Sequence, residues 1–204
     1  MFFSFDGIDG VGKSTQVRLF VEQLRALGRE VVVCRDPGST PLGERIRDLL
    51  LTCDAETTIG RRSEMLLYMA ARAQLVDEVI RPAMEAGKDV VSDRFLLANV
   101  VYQGHAGGLD PASIWEVGRL ATDGIEPDCV FVLDMEPTDA DQRFNRPLDR
   151  MERQGDEYRA RLRAGFLSEA AASHGPIHLI DAGRKVEQVQ ADIWRIAAQT
   201  LGAA

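Results

Sequence analysis

Residues 7–14 form a glycine-rich loop that reads Gly-Ile-Asp-Gly-Val-Gly-Lys-Ser and matches the pattern Gly-x-x-x-x-Gly-Lys-Ser/Thr at every fixed position. The apolar run Met1–Phe5 precedes the loop and is typical of a buried strand. Apolar residues then recur at helical spacing as far as Gly28. A chance glycine-rich turn before a lysine is disfavoured, because strand and helix both lie where this pattern requires them. The sequence therefore predicts a loop that binds phosphate groups.

Each residue type in the loop has a physical reason. Gly7, Gly10 and Gly12 allow positive φ angles and let backbone N–H groups approach a phosphate chain where a side chain would collide. The N-terminus of the following helix adds a partial positive charge. Lys13 can reach the β- and γ-phosphates of a nucleotide, and the Ser14 hydroxyl is placed to ligand a Mg²⁺ ion that bridges them.

Length and charge narrow the classes of protein and partner. A chain of 204 residues can form one domain with a sizeable core, and we assign residues 1–204 to a single domain. The net charge of −8 disfavours a nucleic-acid polymer or an anionic membrane as partner. No stretch approaches about 18 consecutive apolar residues, and the first strand follows no basic leader. The three cysteines lack metal-ligand spacing, so we expect reduced thiols and a cytoplasmic protein.

Five apolar runs are typical of strands, and helical patterns separate them. The runs are Met1–Phe5, Arg29–Cys34, Asp89–Asp93, Cys129–Asp134 and His178–Asp181. Thr40 and Asp110 are each followed by proline, a pairing that predicts an N-cap and the first helical position. Further helical patterns cover about 63–87 and 186–201. This alternation predicts an α/β fold, with a doubly wound, mostly parallel five-stranded sheet flanked by helices.

Polar residues gather where the second and third predicted strands end. Arg35 and Asp36 follow the second strand, and Arg94 follows the third. Open α/β sheets bind ligands at the carboxyl ends of their strands, and two anions that must be brought together need separate cationic clamps. A guanine-specific switch would carry an Asn-Lys-x-Asp motif, which the sequence lacks. The sequence therefore favours phosphoryl transfer between two nucleotides over a GTPase switch.

The chain resembles bacterial thymidylate kinase, of the P-loop nucleoside monophosphate kinase superfamily, in four motifs. They are Phe5–Ser14, Arg35-Asp36-Pro37-Gly38, Asp93-Arg94-Phe95 and Tyr102-Gln103, in family order and with family-like spacing. The resemblance covers nearly the whole chain. It implies a P-loop kinase fold, ATP and Mg²⁺ as cofactors, and phosphorylation of dTMP to dTDP in dTTP biosynthesis. Family members are typically homodimers, so the resemblance also implies a homodimer.

The resemblance implies a full set of site residues. For ATP they are Gly7, Ile8, Asp9, Gly10, Val11, Gly12, Lys13, Ser14 and Thr15. For dTMP they are Asp36, Pro37, Arg47, Tyr68, Arg72, Arg94, Asn99, Tyr102 and Gln103. For the metal they are Ser14 and Asp93, and the catalytic residues are Asp9, Lys13, Arg94, Arg143 and Arg146.

Roles around the phosphates follow from the same resemblance. Asp9 matches a carboxylate that contacts the deoxyribose 3′-hydroxyl and helps to organise the metal site; the alternative is a loop acid that caps backbone N–H groups. Asp36 and Arg47 match residues that frame the acceptor phosphate, although Arg47 is also compatible with a surface helix arginine. Arg94 matches the residue that binds the acceptor phosphate, and Asp93 matches the one that holds magnesium-bound waters.

A second group matches the family's base pocket. Tyr68 and Arg72 are four residues apart and therefore share a helix face. They match a family aromatic residue that stacks on thymine and a family arginine that donates a hydrogen bond to the thymine carbonyl. The alternative is a core aromatic beside a snorkelling arginine. Asn99, Tyr102 and Gln103 match residues that read the base edge and the sugar. Tyr102 is also compatible with a wall that only excludes a ribose 2′-hydroxyl.

Arginines crowd the segment from 139 to 163. Pro147 interrupts it, and we interpret 143–149 as a loop between two helices. Loop positions 10 and 11 carry no arginine, so the resemblance implies a lid at about 141–153 that supplies positive charge from Arg143 and Arg146. This lid is shorter than the family pattern. A run of charged residues is usually a solvated helix face, and we interpret Arg159, Arg161 and Arg163 in this way.

Two alternatives to a dTMP kinase stay open. A kinase for another nucleotide or a deoxynucleoside would share the loop and Arg94 but differ in the base pocket, where Tyr68, Arg72 and Gln103 favour a pyrimidine with a 4-carbonyl. A regulatory P-loop protein that binds ATP without catalysis is the other alternative, and only the shortened lid favours it.

Overall fold

The computed structural model describes residues 1–52, 57–141, 155–173 and 176–202. Within these ranges, five strands form one sheet: β1 (Phe2–Asp6), β2 (Val31–Arg35), β3 (Asp89–Asp93), β4 (Cys129–Asp134) and β5 (Ile177–Asp181). The spatial order is β2-β3-β1-β4-β5, and every neighbouring pair is parallel. The predicted fold class is confirmed, and the described sheet is all-parallel rather than mostly parallel.

Helices flank the sheet. They are α1 (Lys13–Ala26), α2 (Pro41–Thr52), α3 (Arg61–Leu75), α4 (Arg81–Glu85), α5 (Leu96–Asn99), α6 (Pro111–Ala121), α7 (Pro137–Asp141), α8 (Asp156–Ala172) and α9 (Val186–Thr200). The two predicted N-caps are confirmed, because the Thr40 hydroxyl accepts from the Gly43 N–H at 2.9 Å and Asp110 accepts from the Ser113 N–H at 3.0 Å.

Two helices contain π-helical turns that the sequence pattern does not indicate. α3 begins two residues before the predicted start and continues through the π-helical turn Val76–Ile80 into α4. Pro82 follows this turn and cannot donate a backbone hydrogen bond into the helix. α5 continues through the π-helical turn Val100–Ala106, which carries Tyr102 and Gln103. The wider turn therefore sets the positions of two candidate site residues.

Aromatic residues fill the core on one face of the central strands. Phe3 and Phe5 of β1 are fully buried, because β3 and β4 pair with β1 on both sides. The ring of Phe20 from α1 lies 5.0 Å from the ring of Phe3, and the ring of Phe131 from β4 lies 5.0 Å from that of Phe5. These rings join α1 to the strand that leads into the glycine-rich loop.

The register of the sheet brings the ends of β1, β2 and β3 to one edge. Asp93 lies opposite Phe5 of β1 and opposite Arg35 of β2. The Arg94 N–H donates to the carbonyl of Phe5 at 2.9 Å, and the Asp36 N–H donates to the carbonyl of Asp93 at 3.0 Å. The glycine-rich loop, Asp36 and Arg94 therefore leave the sheet side by side.

Three further sequence predictions concern membrane-spanning helices, the cysteines and the lid. In the described part of the chain, none of the helices has the length and apolar character needed to cross a bilayer. Cys34 and Cys129 are buried free thiols. Arg143 and Arg146, with residues 142–153 of the predicted lid, lie outside the described residues.

Replacement of Phe20 by alanine should lower the free energy of unfolding by about 3–5 kcal/mol, because it removes a fully buried ring and leaves a cavity. Chemical denaturation followed by circular dichroism measures the change. Leu27→Ala is the control: Leu27 is 58% exposed, and its replacement should cost less than about 1 kcal/mol. Similar losses in the two variants would contradict this description of the core.

Candidate active site

The glycine-rich loop passes close to two other segments of backbone. Gly7 and Gly10 have φ angles of 129° and 87°. A Cβ atom at Gly7 would lie 2.4 Å from the carbonyl oxygen of Leu133, and one at Gly10 would lie 2.5 Å from that of Ala140. Only glycine fits both positions. Since α1 begins at Lys13, its N-terminus faces this loop and favours negative charge there.

Lys13 is buried within the loop. Its Nζ donates to the carbonyl oxygens of Gly7 at 3.1 Å and Ile8 at 2.8 Å, and it lies 3.5 Å from Asp9 Oδ1. Burial and the neighbouring charge of Arg94 lower the pKa of Lys13, whereas Asp9 acts in the opposite direction. Asp9 therefore helps to keep this ammonium group charged.

The Asp9 carboxylate contacts side chains from three segments of the chain. Oδ1 accepts from Arg94 Nη2 at 2.5 Å and lies 3.5 Å from Lys13 Nζ, while Oδ2 accepts from the Tyr102 hydroxyl at 3.2 Å. Burial acts to raise the pKa of Asp9, but Arg94 and Lys13 outweigh it and hold the pKa well below its usual range. Asp9 is thus ionised and joins the loop to the end of β3 and to the π-helical turn that follows α5.

Arg94 is held in an uncommon backbone conformation for a residue other than glycine, with φ of 70°. Its Nη1 donates to the Gly7 carbonyl at 3.1 Å, and its guanidinium carbon lies 4.9 Å from the centroid of the Tyr102 ring. Burial acts to lower the pKa of Arg94, but Asp9 and neighbouring groups raise it well above its ordinary value. Strained residues held by several contacts are typical of functional sites.

A chain of buried polar side chains runs from the end of β2 to α3. Its members, each less than 10% exposed, are Asp36, Arg72, Asn99, Gln103 and Glu64. Arg72 donates to Asp36 at 2.6 Å and to Asn99 at 3.0 Å. Asn99 donates to Gln103 at 2.6 Å, and Gln103 donates to Glu64 at 2.9 Å. Each link orients the next group, so the amides of Asn99 and Gln103 present defined edges.

All the residues predicted for the acceptor nucleotide line one cavity. They are Asp36, Pro37, Arg47, Tyr68, Arg72, Arg94, Asn99, Tyr102 and Gln103. A larger cavity over the glycine-rich loop is lined by residues 9–15. Gly7 and Ile8 do not line this cavity, and their carbonyl groups accept hydrogen bonds from Lys13. The two cavities share Asp9, Asp36, Arg47 and Arg94. Two ligands in these cavities would therefore meet beside Asp9 and Arg94.

Ser14 and Asp93 fit the requirements of a Mg²⁺ site. Both line the larger cavity, Ser14 in the first turn of α1 and Asp93 at the end of β3. Asp93 Oδ1 is buried and has no hydrogen-bond partner in the described ranges. A buried carboxyl oxygen needs a donor or a cation, and Mg²⁺ prefers hard oxygen ligands.

One arginine of α8 contacts the glycine-rich loop, although the charge pattern of this helix predicts that the arginine is exposed to solvent. Arg159 is 7% exposed, and its Nη2 donates to the carbonyl oxygen of Asp9 at 3.3 Å. The solvated-face interpretation is wrong for Arg159, because it shares a helix face with Phe166, which packs in the core. Arg161 is exposed as expected, and Arg163 is half-buried in a salt bridge.

Glu64 and Arg184 are further residues of the site that the sequence motifs do not include, although the sequence contains a signal for each. Glu64, Tyr68 and Arg72 are spaced by four residues, so Glu64 lies on the helix face of the predicted base pocket. Arg184 lines the larger cavity from the loop after β5. Loops at the carboxyl ends of parallel strands are where such sheets bind ligands.

Comparison with known proteins identifies the family. The family model described as thymidylate kinase matches residues 5–193. The chain is 45% identical to thymidylate kinase of Rhodopirellula baltica over 186 residues. These residues cover 91% of this chain and 75% of the relative. It is 42% identical over 202 residues to thymidylate kinase of Symbiobacterium thermophilum, and the aligned region covers 98% of this chain and 94% of the relative. The crystal structure of thymidylate kinase from Ehrlichia chaffeensis matches with a TM-score of 0.78 and 29% identity, over 97% of this chain and 98% of that one. The resemblance is confirmed, and this chain belongs to the thymidylate kinase family of phosphotransferases.

Proposed function

We propose that this protein transfers the γ-phosphoryl group of ATP to dTMP and forms dTDP for dTTP biosynthesis, with Mg²⁺. The observation that carries the proposal is the cluster of Asp9, Lys13 and Arg94 where the two cavities meet. Phosphoryl transfer requires a protein mainly to align two anions and to offset their charge. One carboxylate that holds two cations at the meeting point is suited to that task.

The glycine-rich loop is the proposed ATP site. Residues 7–15 offer backbone N–H groups and the N-terminus of α1 to the phosphates, and Lys13 offers a positive charge to the β- and γ-phosphates. Ser14 and Asp93 would hold Mg²⁺, which offsets negative charge on the phosphates when bound. Lys13 and Arg94 are held by hydrogen bonds to the loop, so little reorganisation is needed when charge develops during transfer.

The acceptor phosphate is assigned to Arg47 and Arg94, which line both cavities. Asp9 is assigned to the deoxyribose 3′-hydroxyl, as a carboxylate that accepts its hydrogen bond. The Tyr102 hydroxyl binds Asp9, so the tyrosine ring forms a wall beside the proposed sugar position. This wall would collide with a ribose 2′-hydroxyl, and we therefore expect deoxyribonucleotides to be preferred.

Thymine is assigned to the space lined by Tyr68, Asn99 and Gln103, with Arg72 at one edge. Asp36 and Asn99 fix the Arg72 guanidinium, and an arginine only donates hydrogen bonds. A pyrimidine 4-carbonyl accepts such a bond, whereas the 4-amino group of cytosine would set donor against donor. Discrimination by an unpaired buried donor is strong, so we expect dTMP to be favoured over CMP.

Residues 1–204 are proposed as one kinase domain with a lid at about 141–153. Arg143 and Arg146 are assigned to this lid, where they would offset charge on the transferring group and help to exclude water. The contact of Arg159 with the Asp9 carbonyl supports the assignment, because it ties the helix that follows the lid to the glycine-rich loop.

The proposed function is tested by an ADP-release assay with ATP, Mg²⁺ and dTMP, dUMP, UMP, CMP, AMP, GMP or thymidine as acceptor. We expect dTMP to give the highest kcat/KM and UMP to be a poorer acceptor than dUMP. Lys13→Ala should lower kcat on the order of 100-fold or more, because it removes a charge aimed at the transferred group. No turnover with any acceptor by folded protein that binds ATP would overturn the proposal in favour of a regulatory role.

Glu64→Ala should raise the KM for dTMP on the order of tenfold, since loss of its acceptor oxygen leaves the Gln103 amide unpaired and misoriented. Steady-state kinetics with dTMP as the varied substrate measure the effect. Glu64→Gln keeps an acceptor oxygen at the same place and should restore most of the affinity. Parent-like KM values in both variants would show that Glu64 does not position the base site.

Arg143→Ala and Arg146→Ala test the lid. At least one of them should lower kcat on the order of 100-fold with a smaller change in the KM for dTMP, because the charge is needed in the transition state rather than for acceptor binding. Exposed Arg161→Ala is the matched control and should leave kcat within a few-fold of the parent. Parent-like turnover in both lid variants would contradict the lid assignment.

We also propose a cytoplasmic homodimer. Leu42 and Leu49 on α2 and Leu66 on α3 are exposed, α2 packs against α3, and exposed apolar side chains on neighbouring helices are suited to a symmetric contact between copies. Light scattering should give a mass of about 45 kDa, twice the 22.5 kDa of one chain. Leu66→Glu should shift the mass towards one chain, whereas a monomeric parent would contradict the proposal.

A further inference from the structure

A cavity of about 470 Å³ is separate from both nucleotide cavities and shares no lining residue with either of them. It opens between α6, the end of α8 and the strands β1 and β4, and its size suits a small organic molecule. Much of its wall is apolar, including Phe95, Leu97, Trp115, Pro127 and Ile177.

The buried end of this cavity is polar. Ser4 and Asp6 of β1 line it, and both are fully buried. The Ser4 hydroxyl donates to Asp6 Oδ2 at 2.7 Å, whereas Asp6 Oδ1 has no hydrogen-bond partner within the described part of the chain. Burial raises the pKa of Asp6 to about 6, against the lowering effects of the Ser4 hydrogen bond and the charges of Arg94 and Lys13. A buried carboxylate oxygen without a partner is costly and calls for a donor or a cation.

Most of the charged side chains that line this cavity have the same sign as Asp6. Glu116, Glu126 and Glu169 line the cavity, and Arg119 is the only cation among the described residues of its lining. Glu169 is held in place by Trp115, whose indole N–H donates to it at 3.1 Å. The surplus of carboxylates attracts positive charge and repels anions. A nucleotide is therefore the wrong ligand for this cavity.

We propose that this cavity is a second binding site, for a small organic cation with an apolar body and an amine or amidine head. The head donates hydrogen bonds to Asp6 at the buried end, and the body packs against the apolar wall. Asp6 directly precedes Gly7 in the chain, and Phe95 directly follows Arg94. The ligand therefore lies directly behind the segments that carry the catalytic cluster.

The proposal is tested with benzamidinium chloride as probe, titrated into the full-length protein with saturating dTMP present and followed by ligand-observed NMR. Benzoate and benzyl alcohol are probes of similar size with negative and zero charge. We expect benzamidinium to bind at least tenfold more tightly than either, with dTMP bound throughout. Equal binding of the three probes would overturn the proposal, as would displacement of benzamidinium by dTMP.

Two variants place the probe. Asp6→Asn should weaken binding of benzamidinium at least tenfold, and Ala112→Phe should abolish it by filling the opening from α6. Ala191→Phe on the exposed face of α9 is the matched control and should leave binding unchanged. Because Ala112 is exposed, its variant keeps the test valid if Asp6→Asn does not fold. Unchanged binding of benzamidinium in Ala112→Phe would refute the site. A crystal structure of the protein soaked with benzamidinium that shows only water beside Asp6 would also refute it.

Discussion

Buried Lys13 and partly buried Arg94 are two cations in one site, and their mutual repulsion is the constraint that the surrounding structure must satisfy. Arg94 adds to the effect of burial in lowering the pKa of Lys13. Asp9 offsets both charges, at 2.5 Å from Arg94 and 3.5 Å from Lys13. Without it, the two charges would depend on the weaker effects of Asp93 and Asp6 in a poorly solvated space. Since Asp9 belongs to the glycine-rich loop and Arg94 follows β3, the same pairing joins the proposed ATP side to the acceptor side.

The sheet makes this pairing possible. β1 and β3 hold a register in which the Arg94 N–H donates to the carbonyl of Phe5, so Gly7 and Arg94 emerge together. A slip of one residue would turn the β1 side chains to the opposite face and break the aromatic core around Phe20. The acceptor cavity is preorganised in a similar way. Asp36 compensates the charge of the fully buried Arg72, and loss of one partner of such a pair costs about 3–5 kcal/mol.

The features predictable from the sequence are those that local pattern determines. The five strands follow from apolar runs, the Thr40 and Asp110 caps from side-chain chemistry, and the shared face of Tyr68 and Arg72 from their spacing. Burial of Arg159 depends on a partner about 150 positions away, the Asp9 carbonyl, and charge counting does not reveal it. The π-helical turn that carries Tyr102 is also hidden, because one wider turn leaves the apolar pattern almost unchanged.

The central claim is that Asp9 and Arg94 act as one unit in phosphoryl transfer. A double-mutant cycle with Asp9→Asn, Arg94→Gln and the double variant, read as kcat/KM for dTMP, tests it most directly. If the two residues are coupled as their 2.5 Å contact indicates, the double variant should lose little more activity than the more damaged single variant. Losses that simply multiply would mean that the two residues act independently, and the account of the site would be wrong.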